Sequence, residues 1–132
     1  MPYIKYICYI INTGEERSTP QPQKQMDYTN YNTIRDQVHN LIEKLDELNT
    51  NEEMRYSWDW QRKFHRIIKT DNNHDGSWQI VRDADHAFLF VSQETGDVYE
   101  AKGWNRRGKV IYNILNKESR DALYHELEVS NL

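Results

Sequence analysis

The stretch Lys102–Lys109, "KGWNRRGK", sets Lys102, Arg106, Arg107 and Lys109 around Trp104, with Gly103 and Gly108 as its bounds. A guanidinium is a planar, fixed fork of donors that matches phosphate oxygens. An indole beside it offers a flat surface on which a base can stack. Glycine-bounded backbone can also turn N–H groups toward an anion. These residue types at this spacing point to recognition of a phosphate-bearing ligand. Arg62 and Arg66, with Lys63 and Lys69 in "RKFHRIIK", can extend the basic patch. The competing expectation is that Trp104 anchors the segment to the core while the charges keep it solvated.

The other chemical constellations are weaker. In "DNNHDG", Asp71, Asn73, Asp75 and Gly76 match the first, third, fifth and sixth positions of a helix–loop–helix calcium loop, but Arg82 stands where the closing Glu belongs. A hairpin turn of Asn, Asp and Gly forms without a metal. His65, His74, His86, Asp83 and Asp85 have no zinc-site spacing, and His65 falls on the polar parity of its segment, where solvent is expected. Cys8, the sole cysteine, sits in an apolar run and is expected to pack rather than react. Neither a Gly-rich phosphate loop nor a Ser-centred elbow is present. No catalytic residue, metal ligand or cofactor is therefore expected, and a binding protein is favoured over an enzyme.

The elements that must position these residues follow from periodicity. Tyr3–Ile11 is apolar on both parities and reads as a buried strand. Residues 12–31 are polar, carry two prolines and read as a long loop. Ile34, Val38, Leu41, Leu45 and Leu48, widened by Ile42, form the stripe of an amphipathic helix, with Asn32 or Thr33 as cap and Asp36 in its first turn. Tyr56–Lys69 places Tyr56, Trp58, Trp60, Phe64 and Ile68 on one parity, which predicts a strand with an aromatic face and a buried Trp60. "TDNNHDGS" is a turn, "WQIV" and "HAFLFVSQ" are strands, and "ETG" is a hairpin with Gly96 at positive φ. "DVYEAK" is the next strand, Gly103–Gly108 a loop, and "KVIYNIL" a strand or the entry to a helix. Asn116 caps a short last helix with Ala122, Leu123 and Leu127 facing inward. The expected fold is α+β: a mainly antiparallel sheet with one long amphipathic helix packed on it and a short C-terminal helix.

At 132 residues the chain suits a single domain, 1–132, with a core of its own. Aromatics at 12% argue against disorder. The net charge is −4, yet Arg55–Lys109 holds ten basic and eight acidic residues, against seven and thirteen elsewhere. A mildly basic middle on an acidic chain argues against a general DNA coat protein and leaves room for a local anion site. One cysteine allows no intrachain disulfide, which fits a reducing compartment. The apolar start lacks a basic n-region and a cleavage site, and no run is long enough to span a membrane, so a cytoplasmic protein is expected.

"RKFHRIIK", "HAFLFVSQETGDVYEAKGW" and the following lysine and "YNIL" together resemble a group of functionally uncharacterised small tailed-phage proteins, over about residues 62–115. Their pattern is K-(Y/F)-x-K-I, then V-D-K-x-T-G-D-V-Y-K, then S-W-K-A-P-A-K. Thr95, Gly96, Asp97, Val98 and Tyr99 fall on the T-G-D-V-Y core, Trp104 on the Trp and Lys109 on the closing Lys. Here "NRRG" replaces K-A-P-A, so a stiffening proline gives way to two arginines. The resemblance implies a phage origin and a place in the host cytoplasm, not an activity; small phage accessory proteins often bind and block host or defence factors, and such a role is the expectation here. The expected partner is a nucleotide or nucleic acid, the alternative a host defence protein bound through aromatic and acidic surface with no nucleotide. A nuclease or other hydrolase is a third reading, and self-association is left open.

Overall fold

Apolar residues at steps of four, three and four fall on one stripe of a helix. In the computed structural model, which describes residues 29–130, Ile34, Val38, Leu41 and Leu45 are the buried side of α1, Tyr31–Leu48. Ile42 and Leu48 pack at the margin of the core. The expected cap is corrected: the helix begins behind Asn30, whose side chain makes no capping bond, and no acidic residue stands in the first turn. The Tyr3–Ile11 strand, Cys8 and most of the 12–31 loop lie outside the described residues.

Six strands and a second helix follow: β1 Met54–Gln61, β2 Phe64–Asn72, β3 Trp78–Ile80, β4 Ala87–Ser92, β5 Asp97–Gly103, β6 Arg106–Asn113 and α2 Lys117–Ser130. The strands pair antiparallel in the order β1-β2-β4-β5-β6, and β3 pairs with the end of β2. The architecture is α+β, as the periodicities predict.

One element differs from the sequence reading in a way that matters. Tyr56–Lys69 is not one strand but β1, a two-residue turn and β2. Arg62 adopts φ 55° in that turn. Trp58 faces Ile67 and Trp60 faces His65 across the ladder, so even positions of β1 share a face with odd positions of β2. The turn inverts the parity, and a single alternation cannot describe both sides of it. Two expectations fail for this reason. Trp60 is 57% exposed at the end of edge strand β1, and His65 is fully buried.

The helices cover one face of the sheet. There α1 and α2 close over Ile67, Leu89, Val91, Val98 and Ile114, with Leu123 and Leu127 from α2. Ala122, expected inward, is exposed; Tyr124 packs against the core in its place. Asn116 does cap α2, accepting from the Ser119 N–H at 2.9 Å. Gly96 takes φ 79° in the β4–β5 turn and lies against Leu115, so both backbone and space require glycine.

Candidate ligand-binding face

The opposite face is built by the strands alone. Register places Asp59 beside Arg66, Arg66 beside Phe90, and Phe90 beside Tyr99. Cross-strand neighbours share a face, so these side chains and Phe64, one alternation from Arg66 on β2, stand together. The β5–β6 ladder is broken by register shifts at Val98/Tyr99, Tyr99/Ala101 and Ala101/Gly103. Such irregularities bend and coil a hairpin. Gly108 permits close pairing, because a Cβ there would collide with Glu100. The coiled hairpin brings its tip back across the sheet to β2.

Arg66 receives that tip. It is 5% exposed and forks onto Asp59, with Nε donating at 2.8 Å and Nη2 at 2.7 Å. Its Nη1 donates to the Trp104 carbonyl at 2.9 Å and to Asn105 Oδ1 at 2.8 Å. Its guanidinium also lies 4.1 Å from the Trp104 ring centre. A buried charge needs a counter-charge and filled hydrogen bonds, and Arg66 has both. Beside it the Arg107 guanidinium lies 3.8 Å from the Phe64 ring centre, and Arg107 Nη1 donates to Gln61 Oε1 at 3.0 Å. Tyr99 meets Phe64 edge-on at 5.6 Å.

The residues singled out in the sequence are thus brought together, in unlike roles. The expected Gly103–Gly108 loop is corrected to a two-residue turn, Trp104–Asn105, because Arg106–Asn113 is strand β6. Trp104 is partly buried. Arg66 faces inward and holds the hairpin tip. Lys102, Arg106, Arg107 and Lys109 are exposed along the hairpin, and Arg62 and Lys63 are exposed in the β1–β2 turn. Lys102 lies 3.8 Å from Glu100. The side chains of Arg62, Lys63, Arg106 and Lys109 have no counter-charge among the described residues, and Arg107 bonds only the neutral Gln61. Lys69 leaves this group: it lies over the Phe88 ring at 5.5 Å, against the helix-covered core. Sequence reasoning missed Asp59, Gln61, Phe64, Tyr99 and Asn105. For Asp59 the signal was present, since an acid seven residues before an arginine across a two-residue turn sits opposite it in a hairpin.

The weaker constellations resolve into local structure. Asp75 accepts from both the N–H and the hydroxyl of Ser77, and its carboxyl is held below its usual range by those bonds. Asn72 Oδ1 accepts from the His74 N–H, which ties the same turn. His74 pairs with Glu53 at 2.7 Å. His86 bridges Asp83 and Asp71 at 2.7 and 3.1 Å, and those hydrogen bonds, Asp83 first, raise its pKa. His65 stands apart from both, its two ring nitrogens buried without a hydrogen-bond partner among the described residues. Burial, and then the nearby charges of His39 and Arg35, lower its pKa to about 4. A groove of about 470 Å³ runs between α1 and α2, lined by Gln37, Asn40, Lys44 and Tyr124 among others.

No helix among the described residues is long and apolar enough to cross a membrane. No curated protein and no solved structure matches the chain. A family model does match, over residues 8–131, which covers β1 to β6, both helices and the whole basic face, and the chain belongs to that family, the family of unknown function DUF7717.

Proposed function

We propose that this chain is a binding protein for a phosphate-bearing ligand that also carries a base, either a nucleotide signal or a segment of nucleic acid. The observation that carries this reading is the pair of cation-on-ring stacks on the helix-free face, Arg66 on Trp104 and Arg107 on Phe64. Arg62 and Lys63 in the neighbouring turn, and Arg106, Arg107 and Lys109 on β6, are exposed and without a counter-charge among the described residues. Rings and guanidinium planes suit bases, and uncompensated cations suit phosphates. On this reading Arg106, Arg107, Lys109 and Arg62 meet the ligand's anionic groups, with Lys102 at the rim. Trp104 offers the stacking surface, and Arg66 positions it from behind. The resemblance to small phage proteins supports a role in which such capture interferes with host or defence function.

The test is calorimetric titration with a panel of mononucleotides, cyclic nucleotides and short oligonucleotides. Each charge-assisted contact contributes about 1.5–3 kcal/mol. Replacing Arg106 and Arg107 together with Ala should weaken binding by about a hundredfold or more. Because Arg107 also stacks on Phe64, up to about 1 kcal/mol of stability goes with it. A panel in which nothing binds the parent chain sinks the reading.

A second reading, inhibition of a host protein, is favoured by edge strand β6, where Val110 is 47% and Ile111 36% exposed. An open edge with apolar side chains can accept a partner's strand. An empty nucleotide panel, together with a host protein whose capture is lost in Ile111→Lys, would favour it.

A further inference from the structure

Resting on the reading above, we infer that the ligand is a single-stranded polynucleotide laid across the helix-free face, with separate bases on Trp104 and on Arg107. The two stacks are distinct platforms. Arg66 and Phe64 stand two residues apart on β2, so their stacks begin roughly 7 Å from each other at the rise of an extended strand. One base cannot lie on both. The Arg66 guanidinium lies against one side of the indole, and Trp104 is only partly buried. Arg107 lies over Phe64 and is itself exposed.

The charges extend past both platforms. Arg62 and Lys63 lie in the β1–β2 turn, directly before Phe64, while Arg106 and Lys109 lie on β6 beyond the Trp104 turn. A connected strand can meet both groups while its bases lie on the two platforms. The surface is open: Arg106, Arg107, Lys109 and Val110 are all exposed. A free nucleotide is ordinarily held in an enclosing pocket, while an open basic face with aromatic platforms follows a polymer. Bases in a duplex are stacked on each other and present no faces to such platforms, so a single strand is selected.

Fluorescence anisotropy on the full chain tests this, with labelled oligothymidylate and oligouridylate of one to eight nucleotides and a duplex of matched length. Affinity should rise at least tenfold from one nucleotide to four, and the duplex should bind at least tenfold more weakly than the single strand. Two to four phosphates in contact give a log–log salt slope of about −1.4 to −2.8. Trp104→Ala should reduce this length dependence. Because that change could loosen the hairpin, Arg106→Gln with Lys109→Gln, both exposed, should lower the salt slope by about 1.4 at unchanged thermal stability. A mononucleotide that binds as tightly as the tetramer overturns the inference and leaves the proposed function standing. A duplex that binds as well as the single strand also overturns it. Failure of every arm overturns both readings.

Discussion

His65 and Arg66 are chain neighbours on β2, both buried, and opposite in every other respect. His65 turns to the helix-covered face among Trp58, Tyr31 and α1, with no hydrogen-bond partner among the described residues for either ring nitrogen. Arg66 turns to the open face, where Asp59, the Trp104 carbonyl and Asn105 take up its donors. Alternation alone separates them. An imidazole can enter an apolar core by giving up its proton, whereas a guanidinium cannot and must bring its partners with it. One face is therefore held by apolar burial and the other by a charged hub.

The largest effect should come from breaking the hub. Asp59→Ala leaves a buried guanidinium without its counter-charge and should cost about 3–5 kcal/mol in urea denaturation. Replacing Asp59 and Arg66 together by apolar residues should recover most of that loss. If the single change costs under about 1 kcal/mol, the hub is peripheral and the two faces differ less than the geometry implies.

The next effect is on pH. His65 has its folded pKa lowered to about 4 from 6.5. The unfolded chain therefore binds the proton first as pH falls. Stability is full above pH 6.5 and declines as pH drops toward 4, by up to about 3 kcal/mol. His65→Leu should flatten this decline and leave stability at pH 7 equal or higher. His86 has the opposite sign: its folded pKa is raised, so its contribution is full below its unfolded value and fades as pH rises through the folded one. In His86→Asn any gain in stability on lowering pH through that window should vanish. Urea midpoints across this pH range separate the two.

Smaller effects sharpen the contrast. Gly96→Ala forces a Cβ into a positive-φ turn against Leu115 and should cost about 1–2 kcal/mol. Trp60→Ala should change stability by less than about 1 kcal/mol, because the ring is 57% exposed. A loss of several kcal/mol there would mean that the β1 edge is covered in solution.

The sequence showed α1 plainly because four core residues share one helical stripe. The "ETG" and Asn116 signals were equally readable, since each depends on a local rule of backbone or cap. Trp60 and His65 were misplaced because a two-residue turn without glycine leaves no mark in composition and inverts the alternation. The basic segment could be found from residue types. Its division into an inward Arg66 and outward Arg106, Arg107 and Lys109 depended on hairpin coiling and on partners far along the chain. Local patterns do not encode such contacts.

The contact of Arg66 with the Trp104 carbonyl joins residues 38 positions apart. Neither hairpin can make it alone. The β1–β2 hairpin and the β4–β6 meander must first be nearly complete, and closing so long a loop is entropically slow. The hub can therefore close only once both hairpins are in place. If it closes after the barrier, Asp59→Ala should raise the unfolding rate more than it lowers the folding rate, which the two arms of a denaturant chevron would report. The clamp that shapes the open face would then also be the catch that sets how long the native chain survives.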